Sequence, residues 1–567
     1  MIILGISDGQ HDASACIIKD GKILSAINEE RLTRVKLKGG LPKNVINYIL
    51  EKNNLKPKDI DVIVYGSILT PPIFARIFRS LQNEEERVRT KKSNKFYNFL
   101  SDLAQFRFKY TSIKPYSFFG KFNRLFLKKI LLKELGRKFK NKKIYFVEHH
   151  LSHTASAHYT SGNDINLVVT CDYWGDGISF TISKCIKNNI KRIYSIDASD
   201  SLGVFYSAIT KYLGFRPFRH EGKIVGLAAY GKSENVKIDF PFIYKNGKLK
   251  YIYKQNINLD DKLNKKISKY SREDIAAWLQ RGTEDIVVEI VSEYVDSAKL
   301  YNIALAGGLF SNVKINQKIK EIKGVRNIWV FPDMGDGGLS VGGALYFYNK
   351  HIKYYNKTLE NVYLGNGFSN DEIKKELDNF KLKYIYHSKI ENKIAELISK
   401  GKVVARFNGK MEYGPRALGN RSILYHAKDP EVNNWLNKRL KRTEFMPFAP
   451  ATLYEHRKKC YNNIDGGEHP AKFMTITFNC TDYMKKNGPA AVHIDGTARP
   501  QLVTKEINPS FYKIIREYHR LTGIPSVINT SFNMHEEPIV CSPSDAIRSF
   551  LQGNLDYLAI GNYLVKS

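Results

Sequence analysis

The sequence predicts an α/β fold in two domains, spanning residues 1–355 and 356–567. Three observations carry that expectation. The chain has 567 residues, more than one hydrophobic core usually holds. Apolar β-rich runs alternate with segments of helical apolar spacing, as in strands joined by crossover helices. Glycine-rich turns follow several of the apolar runs directly.

The elements read off in order. MIILGIS is a strand, DGQHD a turn, and ASACIIKDG a second strand. Asp20-Gly21 is a hairpin signal leading into KILSAINEER. LPKNVINYILEKNNL has helical spacing and IDVIVYGS is a buried strand, so the first sheet is mixed. Residues 71–143 then break the pattern. They hold 20 Lys/Arg against 5 Asp/Glu, with aromatics interleaved. An inserted helical region over the α/β core is expected there. It could hold substrate, lie on an anionic membrane surface, bind nucleic acid, or simply expose a solvated basic face. The α/β pattern returns with KKIYFVEHH, a histidine-rich helix, and INLVVTCDYWGDG. NIALAGGLFSNVKINQKI and RNIWVFPDMGDGGLSVGGALYFY each read as strand, glycine turn, helix. HIKYYNKTLENVYLGNG is the expected boundary. The second domain opens on the helix NDEIKKELDNF and continues in strand and turn signals. No internal repeat is visible.

The composition, 43% hydrophobic and 26% charged, is that of a globular chain. The net charge of +33 fits either an anionic partner or a lysine-rich surface. Six scattered cysteines without a C-x-x-C pair argue against a zinc knuckle or disulfide framework, and for a reducing cytoplasm. The N-terminus reads as a strand entering a polar turn rather than a signal peptide. No apolar run of about 18 residues occurs.

The strongest chemical signal is EHHLSHTASAH. His149 and His153 are four apart and share one helix face, a spacing suited to one metal ion. His150 and His158 are nearby alternatives. Asp172, at the end of LVVTC, and Asp336, in MGDGG, are candidate carboxylate ligands at strand ends. Such a set suits Fe²⁺ or another divalent ion better than structural zinc. The turns at Gly307-Gly308 and Gly335 could bring backbone N–H groups to phosphate. No P-loop or G-x-G-x-x-G is present. Their repetition, with Asn312 and Asn316 just after one turn, favours a nucleotide cleft of the actin/sugar-kinase type.

A second set lies toward the C-terminus. KMEYGPRALGNRSIL holds Arg416 and Arg421, KRTEFMPFAP holds Lys441 and Arg442, and HIDGTARPQ holds His493, Asp495 and Arg499. Asn529, Ser531 and Asn533 alternate after a buried strand, on one side of an extended chain. Arginines in Gly/Pro turns suit forked phosphate recognition.

These blocks resemble the NodU/CmcH family of O-carbamoyltransferases. The motifs run end to end: GISxxxHDASA, EERLTR, HHLSH, EGKIVGLAAYG, MEYGPRALGNRSIL, HIDGTARPQ and NTSFN. The stretch at 71–143 is the part the resemblance covers least. It implies an N-terminal ASKHA-type domain, similar to TsaD-type tRNA-modification proteins, and a smaller YrdC-like α/β domain. It further implies that the latter makes carbamoyl adenylate from ATP, with Mg²⁺, and carbamoyl phosphate. The metal-bearing domain would then pass the carbamoyl group to a hydroxyl of a small-molecule natural product or glycan. Arg416, Arg421, Arg499 and either Lys441 or Arg442 would offset phosphate charge, and Asn529, Ser531 and Asn533 would orient phosphate or the carbamoyl amide. His11 is the candidate base for the acceptor hydroxyl. Glu221 and Lys223 match family positions near the nucleotide. The competing expectation is a tRNA threonylcarbamoyl enzyme built on the same folds. No nucleic-acid partner is expected under the first reading.

Overall fold

The structure is a computed structural model that describes residues 1–68, 118–253, 258–441 and 445–567. Most of the basic aromatic stretch, residues 71–117, and Arg442 lie outside the described residues. The fold is mixed α/β, built on several sheets.

The first sheet contains β1 (Ile2–Ser7), β2 (Ser14–Lys19), β3 (Lys22–Asn28), β4 (Val62–Tyr65) and β5 (Lys143–Phe146). Its order is β3-β2-β1-β4-β5. The first three strands form an antiparallel meander; β4 runs parallel to β1 and β5 parallel to β4. Asp20 and Gly21, at φ 50° and 82°, make the two-residue turn between β2 and β3, the backbone such a hairpin requires. Helix α1 (Lys43–Lys52) buries Val45, Ile46, Ile49 and Leu50 against the sheet. Helix α2 (Phe118–Leu135) precedes β5.

The second sheet repeats this plan. Strands β6 (Ile165–Gly175), β7 (Ile178–Ile186) and β8 (Asn189–Asp197) form the meander. After a separate hairpin of β9 (Phe242–Lys245) and β10 (Lys248–Tyr251), β11 (Asn302–Ala306) and β12 (Asn327–Val330) add in parallel. The order β8-β7-β6-β11-β12 matches the first sheet strand for strand. The sequence shows no repeat, yet the topology is duplicated. Alternation and burial set topology, and many residue choices satisfy them equally.

Two helices lie between the sheets. Helix α3 (His149–His158) packs on β6 and β11, and α8 (Leu339–His351) packs on β1 and β2. They touch closely: a Cβ at Gly342 would stand 1.9 Å from Ser152 O. The intervening helices are α4 (Leu202–Tyr212), α5 (Glu221–Ala228), α6 (Arg272–Ala298) and α7 (Val313–Lys320).

The C-terminal part holds an eight-stranded sheet. Its strands are β13 (Tyr384–Tyr386), β14 (Val404–Phe407), β15 (Arg421–His426), β16 (Ala449–Leu453), β19 (Gln501–Val503), β20 (Ser526–Ser531), β21 (Tyr557–Ile560) and β22 (Tyr563–Lys566). The order is β13-β22-β21-β14-β15-β20-β16-β19. The short strands β17 (Phe478–Asn479) and β18 (Thr497–Ala498) pair separately. Helices α9 (Asn370–Asn379), α10 (Ile390–Ser399), α11 (Pro509–Thr522) and α12 (Pro543–Gln552) cover the large sheet. Residues 460–498 leave it and pack into the core of the second sheet through Tyr461, Ile464, Ile476 and Phe478. Ile328 N donates to Gly466 O at 2.9 Å across that contact. No helix among the described residues is long and apolar enough to cross a membrane.

Candidate functional site

Helix α3 starts two residues after β5, so its first turn faces the gap between the two five-stranded sheets. Its N-terminus is fixed from two sides. Glu148 accepts from Leu151 N at 2.7 Å and pairs with Arg192 at 2.5 Å. Asp176 accepts from His149 N (2.9 Å), Ser67 Oγ (2.8 Å) and Ile68 N (2.9 Å). One helical turn apart, His149 and His153 project on the same side, with ring centroids 4.8 Å apart. Asp172, near the end of β6, and Asp336, in the 3₁₀ turn before α8, meet them. One donor atom from each of the four side chains lies within 4.8 Å of the other three. His153 Nε2 is 3.0 Å from Asp172 Oδ2 and 3.9 Å from Asp336 Oδ1. His149 Nε2 is 3.6 Å from both carboxylates.

Small residues make room for this cluster. A Cβ at Gly308 would stand 3.0 Å from Asp172 Oδ1, and one at Gly9 3.3 Å from Asp336 Oδ2. Gly307 takes φ +107°, which an L side chain rarely adopts, and a Cβ there would stand 2.2 Å from Cys171 O. The electrostatics are those of buried groups held by each other. Burial works against the Asp172 charge, but the two adjacent imidazoles, His153 through a hydrogen bond, hold its carboxyl well below the usual range. Burial drives Asp336 up, and the Asp172 charge adds to that. Burial alone would lower His149, yet Asp336 and Asp172 lift it to about 9.

The other two histidines of the helix are occupied elsewhere. His150 Nε2 lies 2.9 Å from Ile178 O, so it carries the proton, and Nδ1 accepts from Thr170 Oγ1 at 2.7 Å. His158 Nε2 likewise donates to Lys187 O, and its Nδ1 accepts from Asn166. By contrast, His149 Nε2 is buried without a hydrogen-bond partner. An orphaned imidazole nitrogen facing two carboxylates fits a divalent ion.

The cluster opens on a cleft of about 400 Å³ lined by His11, Asp12, Asp172, Gly308, Asn312, Gly335, Asp336, Glu221 and Arg416. His11 Nδ1 lies 3.2 Å from Asp12 Oδ2, and its ring sits 5.7 Å from that of Phe218. Glu221 accepts from Ser207 Oγ and Phe218 N, both at 2.7 Å, and burial raises its carboxyl. Asn312 caps α7, accepting from Lys314 N and Ile315 N, and donates to Gln280. Asn316 instead bridges Phe310 O and Thr475 O inside the core.

A second cavity, of about 270 Å³, is lined by Arg416, Arg499, Asn529, Ser531 and Asn533. It shares Lys36, Ser311, Pro415, Arg416, Ser531 and Asn533 with the first. Asn533 holds its own loop, donating to Met534 O and Glu537 O.

Two residues expected in this set are not brought to it. Arg421 lines neither cavity; it is fully buried. Its guanidinium donates to the carbonyls of Asn408, Asn420, Asn366 and Gly409 and lies 3.7 Å above the Phe407 ring. Burial pulls it down to about 10. A guanidinium whose two terminal nitrogens donate to four backbone carbonyls organises the turn and has few donors left for phosphate. Lys441 is exposed at φ +56° and lines neither cavity.

Some residues at the site carried no role in the sequence reading. Glu412 Oε1 accepts from the backbone N of Leu418, Asn420 and Arg421, fixing the turn that presents Arg416. Asp333, in the first cleft, is pushed up to about 7 by burial and the Asp12 charge. Lys36 lines both cavities. Glu536 is gripped by Arg216, Arg219 and His220 across the junction of the two halves. Glu412 lies inside MEYGPRALGNR, a motif read only for its arginines, whereas Lys36 lies just beyond the quoted EERLTR block.

The Carbamoyltransferase N-terminus family matches residues 2–345, and the Carbamoyltransferase C-terminus family matches residues 395–567. An uncharacterized protein of Methanocaldococcus jannaschii is 35% identical over 100% of this chain and 99% of its own. Nodulation protein NolNO of Sinorhizobium fredii is 30% identical over 100% of this chain and 82% of its own. Nodulation protein NolO of Bradyrhizobium diazoefficiens is 31% identical over 74% of this chain and 79% of its own. Both family matches run in order along one polypeptide, over the histidine–aspartate cluster and the arginine-lined cavity alike, and the chain therefore belongs to the carbamoyltransferase family of NodU/CmcH type.

Proposed function

We propose that the protein is an O-carbamoyltransferase that makes carbamoyl adenylate in the second cavity and uses it in the first. The observation that carries this reading is the wall common to the two cavities, in which Arg416, Ser531 and Asn533 face both. The reading assigns residues 1–355 to an ASKHA-like transfer domain, supported by the twinned five-stranded sheets. It assigns 356–567 to a YrdC-like domain. Carbamoyl phosphate loses phosphate to water, giving carbamate. A carbamate oxygen displaces pyrophosphate from Mg²⁺-ATP. An acceptor hydroxyl then bonds to the carbamoyl carbon as AMP leaves.

The residues suit these steps. Arg416 and Arg499 offset the crowded phosphate charges. Gly308, Asn312, Gly335 and Glu221 line the cleft that would receive the nucleotide. With Nδ1–H of His11 donating to Asp12, Nε2 is the basic atom that takes the acceptor proton. A divalent ion, with Fe²⁺ favoured by the two-imidazole, two-carboxylate set, would be held by His149, His153, Asp172 and Asp336 and supply Lewis acidity toward phosphate and carbonyl oxygens. The acceptor is a small-molecule natural product or a glycan. Six free, buried cysteines support a reducing, cytoplasmic setting.

The test is ATP–pyrophosphate exchange, followed by mass spectrometry of candidate acceptors. Exchange that requires carbamoyl phosphate, with a carbamoyl mass added to an alcohol, is the expected result. Exchange that requires threonine and bicarbonate instead would make the protein a threonylcarbamoyl enzyme.

A further inference from the structure

A basic surface that neither cavity uses lies on α2 and the turn after it. Residues 124–143 hold nine Lys and Arg and one acid, Glu134. The inner side of the helix is anchored. Leu127, Leu131 and Leu135, four apart, pack into the core that Val45, Ile46 and Ile49 of α1 share, and Phe139 of the following 3₁₀ turn joins them. Lys142 Nζ donates to Lys58 O at 2.9 Å and to Ile60 O at 2.6 Å, tying the end of the segment to the loop before β4. The acids of that loop are turned to backbone donors: Asp59 Oδ2 accepts from Lys56 N and Asp61 Oδ2 from Ile2 N, both at 2.7 Å. Lys56 and Lys58 stay exposed, on a loop packed against Arg137–Phe139, and extend the positive charge.

Helical spacing puts Leu125, Phe126, Lys129 and Lys133 on the opposite, outer side. All four are exposed, Leu125 at 64% and Phe126 at 43%. One exposed apolar side chain is ordinary. Two large ones side by side among lysines match a partner with negative charge outside and hydrocarbon just beneath. Lysine stems can lie along such a surface while their ammonium groups reach phosphate. Single-stranded nucleic acid rewards charge and a stackable ring, but nothing in it rewards an exposed leucine. We propose that the outer face of α2 docks the protein on an anionic lipid bilayer, with Leu125 and Phe126 entering the interface and Lys129 and Lys133 meeting headgroup phosphate. This surface stands apart from the donor and transfer chemistry proposed above.

Co-sedimentation of the full chain would be measured with vesicles of phosphatidylcholine alone and of phosphatidylcholine and phosphatidylglycerol in equal parts, at low and at high salt. The wild type should bind the mixed vesicles, leave the neutral ones, and come off at high salt. Leu125→Ser with Phe126→Ser should weaken binding by about ten-fold or more. Lys129→Gln with Lys133→Gln should weaken it by roughly 25-fold, about five-fold for each charge. Both double variants change exposed side chains outside the two cavities, so their Tm should match the wild type. A wild type that ignores the mixed vesicles overturns the proposal. So does binding that needs the lysines but survives Leu125→Ser with Phe126→Ser, because that is charge attraction without insertion. Tighter binding to a single-stranded RNA oligomer than to the vesicles would give the face to nucleic acid. A dimer in sedimentation velocity that Leu125→Ser with Phe126→Ser dissolves, without vesicle binding, would give it to a second copy. Either result also overturns the lipid assignment.

Discussion

Gly175→Ala tests whether the His149 ring is placed for an ion or merely packed. Gly175 ends β6, and its φ is not in the left-handed range, so alanine fits the backbone. The side chain does not fit. An alanine Cβ would stand 2.1 Å from His149 Cγ, 2.2 Å from Cδ2 and 2.4 Å from Nδ1. Carbon atoms meet comfortably near ~3.5 Å, so the ring must retreat by about 1.4 Å. His149 is 1% exposed and cannot swing into solvent. Its Nε2 would leave the point 3.6 Å from both carboxylates, and metal sites tolerate only about 0.2 Å of displacement. Crowding of this kind costs about 1–3 kcal/mol of stability, and a misplacement near 1 Å costs roughly 100-fold in rate. The assay is metal per chain by elemental analysis, beside carbamoyl-phosphate-dependent pyrophosphate exchange as an internal control. Metal content and carbamoyl transfer should fall while exchange stays within about two-fold of wild type. His153→Ala removes a ligand without crowding and should give the same split. Stoichiometric metal and wild-type transfer in Gly175→Ala would refute the reasoning.

The remaining expectations concern other parts of the chain. Arg416→Ala and Arg499→Ala should each abolish pyrophosphate exchange while keeping the metal content of the wild type; normal exchange in both would remove them from the donor site. Arg421→Ala should act on stability instead, lowering it by about 3 kcal/mol or more, because its four carbonyl partners and the Phe407 face lose their donor; chemical denaturation checks this. Glu536 is held below the usual carboxylate range, first by the His220 hydrogen bond and then by the Arg219 charge. A depressed folded pKa stabilises above the unfolded value and is lost as the pH falls. Glu536→Gln should therefore destabilise by under about 1 kcal/mol at pH 7, a partly exposed pair being screened, and by nothing below the carboxylate range.

Much of the N-terminal half was legible in the residues. Apolar runs ending in Asp172 and near Asp336 are strands whose ends face the helix carrying His149 and His153, so spacing and strand position anticipated which side chains meet. The Asp20-Gly21 turn was equally readable, because its backbone needs those residue types. Arg416 and Arg421 show what spacing cannot reveal. They lie five apart in one glycine-proline turn, yet one faces a cavity and the other donates to carbonyls of residues 366, 408, 409 and 420. Which way each points depends on Glu412 gathering three backbone N–H groups. His150 and His158 went to structural bonds for a similar reason: their partners, Ile178 and Lys187, come from another strand and its turn. The duplicated sheet plan left no trace because the two halves share burial patterns rather than residues.

The excursion of residues 460–498 has a bearing on how the chain can be cut. Expressed alone, residues 1–355 would bare the surfaces of Trp329 and Ile319 that Phe473, Tyr461 and Phe478 now cover. A patch of that kind invites self-association. Severing the gene between its halves would strip this apolar contact from both pieces.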